Sequence, residues 1–402
     1  MVSQILTNIL NKAESLNLLK GIRINETLHV NHTLYADDLF ICGLASRKNA
    51  RSIKMCLELY KTITGQRPNM SKSDLFFPTW VNSRIKKAII EILDIKQKTF
   101  LFKYLGSLIS PFRIPVDYFK ALITKVESKL AHWKTMHLTM AGKVTLANAT
   151  IMSIPLFGLS TYAIPESILE SITKLIRRFI WSNTSNNTGV HLVGWSTVTS
   201  PKSEGGLGIK DLKIMKRALL SKLVFELLNQ GDKTWVKFML YKYGCLEIWK
   251  PNKSKKISWT CRGLITTARD IKGKITITNV HPNCSVWSDP WLFNVPINQM
   301  PTYVNVHNDI SQLQVGDLLA HKHWDNDRLN AIFPNWLVHH ISSISISYKI
   351  GNTEWKWMHN TKGKSLTAAI YDEFRLKDQS NLWSGCQKLW RLNVVPKIAI
   401  FL

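Results

Sequence analysis

The sequence predicts an α+β protein: a small region built around a β-hairpin comes first, then long helices, then a mixed, mainly helical C-terminal region. Apolar residues alternate with polar ones in residues 22–30, and a short apolar run, Leu39–Ile41, follows Asp37 and Asp38, so this part predicts strands around an acidic turn. From Val116 onward, apolar residues recur at spacings of three and four, which is typical of helices. The last third of the chain is rich in tryptophan.

The first hundred residues contain several further elements with clear start and stop signals. Apolar residues at helical spacing, followed by glycine, predict helices over Met1–Leu19 and Ala45–Thr64. A third, shorter helix is expected over Val81–Leu93. Phe100–Leu108 predicts a strand pair that turns at Gly106.

The middle of the chain is predicted to be helical, with one interruption. Helices are expected over Val116–Trp133 and Ile168–Trp181, and another over Ile209–Leu228 after a glycine-rich turn. Residues 183–189 are polar and carry no apolar period, so they predict a flexible loop at a domain boundary. The helix from Val116 carries an apolar face and a basic face.

Asp37 and Asp38 are the first candidate site. Adjacent carboxylates repel each other, and at the edge of an apolar hairpin we expect them to be poorly solvated, which favours a bound cation. Hard oxygen ligands of this kind suit Mg²⁺, which binds through one or two carboxylates plus substrate phosphates. The alternative is a solvated surface turn with no ligand.

Net charge points to the class of partner. The chain has 402 residues and a formal net charge of +26 at pH 7, and a globular chain this basic is expected to face a polyanion, with a merely solvated cationic surface as the alternative. The candidate nucleic-acid contacts lie on the predicted helices: Lys134, Lys143, Lys174, Arg177 and Arg178. Phe179 and Trp181 are expected to pack in the core instead of stacking on bases.

Cysteine and histidine usage does not predict a zinc site. The six cysteines lie far apart and form no Cys-x-x-Cys pair, and the close histidine pairs His321/His323 and His339/His340 have no cysteine near them. Neither a signal peptide nor a transmembrane run is recognisable. We therefore expect an intracellular protein without a membrane partner, and leave nuclear and cytoplasmic locations open. Nothing in the sequence indicates a protein partner.

Several blocks resemble the reverse transcriptases of plant LINE-type non-LTR retrotransposons. Tyr35-Ala36-Asp37-Asp38 resembles the metal-binding hairpin of the polymerase palm, and its order relative to the next two blocks is that of the family. Similar blocks follow at these positions: Thr64–Ser73, Phe102–Gly106, Leu138–Leu146, Trp195–Ile209, Ser285–Leu292 and Leu389–Ile398.

The resemblance implies an RNA-directed DNA polymerase fold, activity and site. Asp37 and Asp38 would be catalytic ligands of Mg²⁺, and Lys72 would protonate the leaving pyrophosphate. RNA template and DNA primer would be the nucleic-acid partners. Without the resemblance, Lys72 is expected to be an ordinary surface lysine.

The resemblance also implies a division of the chain. It assigns residues 1–112 to a partial palm and 113–182 to a helical thumb. A tryptophan-rich linker would occupy 183–350, and 351–402 would begin a zinc-binding-like domain whose ligands are not among the residues present. In the linker, tryptophans interleaved with lysines predict either base stacking or a tryptophan-anchored core.

No residue of the chain matches the family's first catalytic aspartate or its template and nucleotide loop. The sequence thus looks like an interior slice of a longer polyprotein, and we do not expect it to polymerise DNA alone. The alternative function is a non-catalytic basic protein that binds RNA or DNA. A remnant without a selected function is the third possibility.

Overall fold

The computed structural model describes residues 2–26, 28–134, 136, 138–161, 164–182, 193–243, 257–293, 296–300, 310–348, 354–358 and 363–376. Helices and short two-stranded sheets alternate along the described residues, which confirms the predicted α+β class. The chain divides into two compact units, unit 1 from Met1 to Ile114 and unit 2 from Pro115 to Leu402. The four-part division drawn from the sequence stays a prediction.

The described residues of unit 1 form three α-helices and four small sheets. Its helices are α1 (Val2–Ser15), α2 (Arg47–Thr64) and α3 (Ser83–Leu93). Its strands pair as β1 (Ile22–Arg23) with β2 (His29–Val30), β3 (His32–Tyr35) with β4 (Asp38–Ile41), β5 (Asp74–Phe76) with β6 (Lys96–Lys98), and β7 (Phe102–Tyr104) with β8 (Ser107–Ile109). The β5–β6 pair is parallel and the other three pairs are antiparallel.

Local signals explain where the helices of unit 1 begin and end. The Ser46 hydroxyl accepts a hydrogen bond from the Asn49 backbone N–H at the start of α2, and Gly65 ends that helix with φ +73°. The prediction for α2 is thus confirmed to within two residues. Helix α1 ends at Ser15 instead of Leu19, because Asn17 takes φ +56° and turns the chain.

The core of unit 1 forms where α1 crosses α2. Leu10 of α1 is fully buried, and Leu19 joins the cluster from the segment that follows α1. The other buried apolar residues of this cluster lie on the two helices: Leu6, Ala13, Cys56, Leu57 and Tyr60. Leu39 and Ile41 of β4 pack against the same cluster. The strand that leaves the acidic turn is thereby held on the helical layer.

Unit 2 begins with helices and continues into a mixed core. Its helices are α4 (Val116–Lys134), α5 (Met140–Leu146), α6 (Ser153–Thr161), α7 (Glu166–Trp181), α8 (Trp195–Thr199), α9 (Leu212–Leu228), α10 (Thr234–Tyr243), α11 (Trp259–Ile271), α12 (Asn326–Ile332), α13 (Asn335–Ser342) and α14 (Leu366–Leu376). Its strands are β9 (Ile275–Asn279), β10 (Leu319–Ala320), β11 (His323–Trp324) and β12 (Glu354–Trp357).

Helix α9 is central to unit 2. It contacts α6, α7, α10, α11, α14 and β12. Strand β12 pairs antiparallel with β9, which places Trp357 opposite Ile275 and Trp355 opposite Ile277 in the large apolar cluster. Residues assigned by resemblance to the start of a separate domain therefore share a core with the linker region.

The tryptophans of unit 2 are mostly structural. Trp291 is 4% exposed, donates its indole N–H to the Val286 carbonyl at 2.9 Å, and stacks on Trp324 with ring centroids 5.9 Å apart. Trp355 and Trp357 are also buried. These contacts favour the tryptophan-anchored core over base stacking. Trp249 and the polar loop 183–189 lie outside the described residues.

One described stretch, Met140–Thr161, is long and apolar enough to cross a membrane by length and composition alone. It consists of α5, a π-helical turn and α6. The Asn148 side chain donates to the Gly208 carbonyl at 3.0 Å and accepts from the Lys210 N–H at 3.3 Å, and Leu159 is fully buried. These contacts pack one side of the stretch against other parts of unit 2, while Leu156 and Phe157 are exposed.

Candidate functional site

The acidic hairpin, His32–Ile41, is the site that the sequence singled out first. Strands β3 and β4 pair Tyr35 with Asp38, so Ala36 and Asp37 form a two-residue turn, with Ala36 at φ +51°. This tight turn places Asp37 and Asp38 at the end of the hairpin. The predicted acidic turn is confirmed.

The expected poor solvation of this acid pair is wrong. Both Asp37 and Asp38 are exposed, because the turn extends beyond the apolar part of the hairpin. Water and salt screen the repulsion between exposed carboxylates, so the fold does not require a cation to hold them together. A metal at this turn must be argued from ligand chemistry alone.

Polar contacts hold the base of the hairpin on α1. His32 Nε2 lies 3.1 Å from the Thr7 hydroxyl oxygen, and Asn31, which is 5% exposed, donates to a Glu14 carboxylate oxygen at 2.7 Å. Partial burial lowers the pKa of His32, and the nearby Glu14 opposes that shift. The hairpin is thus fixed at its base while its tip stays in solvent.

A stack of aromatic rings joins the hairpin to strands β5 and β7. Phe40 of β4 stacks on Phe102 of β7 with centroids 6.2 Å apart, and Phe102 stacks on Phe76 of β5 at 3.9 Å. Tyr104 lies against Phe40 at 5.6 Å, and its buried hydroxyl has no hydrogen-bond partner among the described residues. Three segments that are separate in sequence therefore meet at one cluster.

Lys72 lies just before β5, at the end of a short 3₁₀ turn. The Asn69 side chain accepts from the Ser71 and Lys72 backbone N–H groups and so caps that turn. Lys72 itself is exposed. Within the described part of the chain, Lys72 forms no ion pair with Asp37 or Asp38. The aromatic stack therefore holds the neighbouring strands together, but the lysine and the two aspartates do not contact one another.

The five predicted nucleic-acid contacts lie in unit 2 and differ in their surroundings. Lys174 and Arg178 are exposed one turn apart on α7, on the same face of the helix. Arg177 is half-buried, with its guanidinium over the Trp195 ring at 5.8 Å. The side chain of Lys134 lies outside the described residues.

Lys143 has a structural role that the sequence did not predict. Its ammonium donates to the Ser182 carbonyl at 2.6 Å and lies 5.7 Å from the centroid of the Phe179 ring. A cation at the carbonyl end of α7 satisfies a free backbone acceptor and complements the helix dipole. Phe179 and Trp181 are 0% and 1% exposed, so their predicted core packing is confirmed.

An ion pair that the sequence did not reveal lies beside the exposed cations of α7. Lys213 of α9 donates to Glu170 of α7 at 2.7 Å, and this hydrogen bond lowers the pKa of the Glu170 carboxyl. The pair is exposed and joins two helices, so no spacing within one helix could have predicted it. Glu170 is neutralised by this partner, and Lys174 and Arg178 follow it as exposed cations further along α7.

The donor set at the hairpin suits Mg²⁺ only in part. Two exposed carboxylate groups match an ion that keeps several waters and takes further oxygen ligands from substrate phosphates. Across the described ranges, no group of three or more His, Cys, Asp or Glu side chains is gathered to hold a metal. A two-metal site would need carboxylates beyond Asp37 and Asp38.

Comparison with known proteins gives limited similarity. No family model matches the chain. It is 28% identical over 301 residues to an Arabidopsis thaliana protein named "Putative ribonuclease H protein At1g65750", a match that covers 72% of this chain and 48% of that protein. It is 26% identical over 93 residues to the "Uncharacterized mitochondrial protein AtMg00310" of Arabidopsis thaliana, covering 23% of this chain and 60% of that protein. The chain thus spans about half the length of the first relative and less than two thirds of the second.

Proposed function

We propose that this chain is part of an RNA-directed DNA polymerase, a reverse transcriptase of the non-LTR retrotransposon type. In this proposal Asp37 and Asp38 hold Mg²⁺ at the tip of the acidic hairpin, and Lys72 approaches the phosphates of the incoming nucleotide. The bound nucleic acid is an RNA template with a DNA primer. Bound Mg²⁺ would supply positive charge where a transferring phosphoryl group develops negative charge.

The stack of Phe40, Phe76 and Phe102 carries the proposal. The three blocks that resemble the polymerase palm are the acidic hairpin, Thr64–Ser73 and Phe102–Gly106. Phe40 lies in the hairpin and Phe102 in the third block, and Phe76 lies in β5, the strand that directly follows the second block. A palm requires these segments to lie close together, and their packing supports the proposal in that respect.

The described residues supply part of a catalytic site. Two-metal phosphoryl transfer needs carboxylates that hold both ions, and the described chain gathers no third acid at the hairpin. In this proposal, polymerisation therefore requires a carboxylate from outside the described residues. The part of the chain that is described binds metal and nucleic acid but does not complete the reaction.

The ribonuclease H name of the Arabidopsis relative suggests a different reaction on nucleic acid. Metal-assisted hydrolysis of a phosphodiester also depends on a cluster of carboxylates around the ions. The described residues contain no such cluster for either reaction, and the blocks quoted above resemble a polymerase, so the ribonuclease H name is left to the relative.

A second candidate function is nucleic-acid binding without catalysis. Two observations favour it. Lys174 and Arg178 are exposed on α7, whereas Asp37 and Asp38 are solvated and no third ligand is gathered beside them among the described residues. Cations on one helix face bind a phosphate backbone without any metal.

A binding experiment on the full chain separates the two functions. Fluorescence anisotropy measures the binding of a fluorescein-labelled RNA–DNA hybrid, once with Mg²⁺ and once with EDTA. We expect Mg²⁺ to tighten binding several-fold in the native chain and to have no effect on the Asp37→Asn/Asp38→Asn double variant. A matched control, Glu91→Gln/Glu127→Gln, removes the same charge at two exposed sites and should respond to Mg²⁺ like the native chain. Equal binding with and without Mg²⁺ in all three proteins would leave only the non-catalytic function.

A further inference from the structure

Unit 1 contains an apolar groove that the proposed function does not use. The groove lies between α1 and α2, beside the cluster where these two helices pack on each other, and its volume is about 370 Å³. Most of the side chains that line it are apolar. Its size falls within the range of about 300–1,000 Å³ that is typical of binding pockets.

Large apolar side chains stay exposed along this groove. Leu16, which directly follows α1, is 56% exposed, and Met55 and Leu59 of α2 are 51% and 48% exposed. Ile63, one helical turn beyond Leu59, is 55% exposed. Single hydrophobic residues scattered over a surface are ordinary, whereas a contiguous apolar patch marks an interaction site.

The groove has a shape that a third helix would fill. Ile5 and Ile9 follow each other at a spacing of four along α1, and Met55 and Leu59 do so along α2, so each helix presents a ridge of apolar side chains. Helices pack by placing the ridges of one helix into the grooves of its neighbours. The row from Met55 to Ile63 spans about 12 Å, or about two turns of a helix laid along it.

The charges around the groove favour an acidic occupant. Lys12 lines it, and none of its described lining residues is acidic. Lys48 lies seven residues before Met55, on the same face of α2, and both lysines are exposed without an ion pair in the described part of the chain. Helix α2 carries five basic residues and one acidic residue, Glu58, which pairs with Lys61. Carboxylates beside the apolar face of a partner would therefore be attracted to this groove.

Two other occupants match these observations less well. A second copy of this chain would bring two basic α2 helices together, and the net charge of +26 on each chain would oppose that contact. A nucleic acid matches the charge, but its contacts with protein are made largely by phosphate and sugar, which do not cover apolar ridges.

We infer that the groove between α1 and α2 binds an amphipathic helix of a partner protein, with apolar side chains on the two ridges and aspartate or glutamate side chains at Lys12 and Lys48. The apolar contacts supply most of the affinity, and the charged contacts select the partner and its orientation. The inference uses neither the acidic turn nor the cations of α7, so it holds or fails independently of the proposed function.

Binding of synthetic peptides to the full chain tests the inference. The acidic peptide has about 18 residues, with leucine at spacings of three and four and glutamate or alanine elsewhere, and carries fluorescein for anisotropy measurements. In the basic peptide lysine replaces each glutamate. A scrambled acidic peptide has the same composition but no apolar face, and so reports binding through net charge alone. We expect the acidic peptide to bind about tenfold more tightly than either of the other two.

Substitutions in the groove distinguish binding at this site from binding elsewhere on the basic surface. Met55→Gln/Leu59→Gln removes two exposed apolar side chains without changing the charge and is expected to weaken binding of the acidic peptide about tenfold. The control Met136→Gln/Leu156→Gln makes the same changes at side chains of unit 2 that are 48% and 40% exposed. It should bind the acidic peptide within about twofold of the native chain. Circular dichroism melting shows that each variant is folded.

A charge-reversal variant tests the cationic side of the groove. Lys12→Glu/Lys48→Glu is expected to weaken binding of the acidic peptide and to tighten binding of the basic peptide, because the attractive and repulsive pairs exchange places. Unchanged affinities for both peptides would remove the two lysines from the site and contradict the choice of an acidic partner.

Three further outcomes would overturn the inference. These are absence of binding by the acidic peptide, equal binding of the acidic and scrambled peptides, and equal weakening in the groove variant and its control. Sedimentation velocity of the chain without peptide tests a second copy as the occupant. We expect the same sedimentation coefficient for the native chain and Met55→Gln/Leu59→Gln, and a dimer that this variant dissociates would overturn the assignment to a partner protein.

Discussion

Phe76 and Phe102 stack face to face with their ring centroids 3.9 Å apart and their planes 19° from parallel. Phe76 ends the strand that follows Lys72, and Phe102 begins the β7–β8 pair, so this contact joins two strands whose stacked residues are 26 positions apart in the sequence. The acidic hairpin reaches the same cluster through Phe40. The spatial relation of these segments therefore depends on a few half-buried rings.

Removing a ring from this stack should destabilise unit 1. Phe102→Ala is expected to lower the free energy of unfolding by about 2–3 kcal/mol, somewhat below the loss for a fully buried phenylalanine because Phe102 is half-buried. Phe112→Ala removes the same side chain at a position that is 71% exposed and should cost less than about 0.5 kcal/mol. Urea denaturation measures both values, and equal losses would mean that the stack contributes no special stability.

Glu204 and Arg375 form an ion pair that connects the turn before α9 to α14. The two side chains are 17% and 10% exposed, and Arg375 Nη2 donates to Glu204 Oε1 at 2.9 Å. Glu204→Gln is expected to destabilise the chain by about 3 kcal/mol, because it removes the negative charge that faces a mostly buried guanidinium. Asp117→Asn breaks the exposed pair with Lys120 and should cost at most about 1 kcal/mol in the same unfolding experiment. A Glu204→Gln loss as small as that of the control would contradict this view of the pair.

Tyr371 should make stability depend on alkaline pH. Burial raises the pKa of Tyr371 to about 12, and its hydroxyl accepts a hydrogen bond from the Asp211 N–H at 2.7 Å. Because the folded state keeps this proton above pH 10, where the unfolded chain loses it, the contribution of Tyr371 is fully present below pH 10 and is lost as pH rises towards 12. Tyr371→Phe cannot titrate there.

The stability difference between the native chain and Tyr371→Phe measures this contribution. It should be largest below pH 10 and shrink as pH approaches 12, by about 1.4 kcal/mol for each unit of pKa difference. Urea unfolding at pH 8 to 11.5 follows the difference, and other titrating groups cancel because both proteins contain them. A difference that stays constant over this range would show that the tyrosine titrates normally in the folded state.

The cations of α7 should contribute to duplex binding in a salt-dependent way. Lys174→Ala/Arg178→Ala is expected to reduce the slope of log affinity against log salt for an RNA–DNA hybrid by about 1.8, since each lost phosphate contact contributes about 0.9 on a duplex. Lys143→Met should lower stability without changing the slope, because its ammonium is engaged with the Ser182 carbonyl. An unchanged slope in the double variant would remove α7 from the binding surface.

Local sequence signals predicted most of the secondary structure. Ser46 and Gly65 mark the ends of α2, and Asn82 caps α3, so these helices are predicted to within two residues. The early end of α1, where Asn17 takes a left-handed conformation, could not be predicted from the spacing of apolar residues, because these residues continue to Leu19. Sequence patterns report which face is buried more reliably than where the backbone turns.

These sequence patterns could not predict contacts between distant segments. The pairing of β9 with β12 joins residues about 80 positions apart, and the role of Lys143 depends on the end of a different helix. The exposure of Asp37 and Asp38 was also mispredicted, because it depends on how far the turn extends beyond the packed part of the hairpin. The resemblance identified the candidate residues, whereas the structure was needed to show their exposure and their neighbours.

Iron-directed cleavage is the most direct test of the claim that the acidic hairpin binds a metal. Fe²⁺ occupies oxygen-ligand sites of divalent cations, and with ascorbate and peroxide it generates radicals that cut the nearby backbone. We predict cleavage of the full chain within a few residues of Asp37 and Asp38, suppressed by excess Mg²⁺ and absent in Asp37→Asn/Asp38→Asn. Cleavage elsewhere only, or an unchanged pattern in that double variant, would contradict the account of this hairpin as a metal-binding turn.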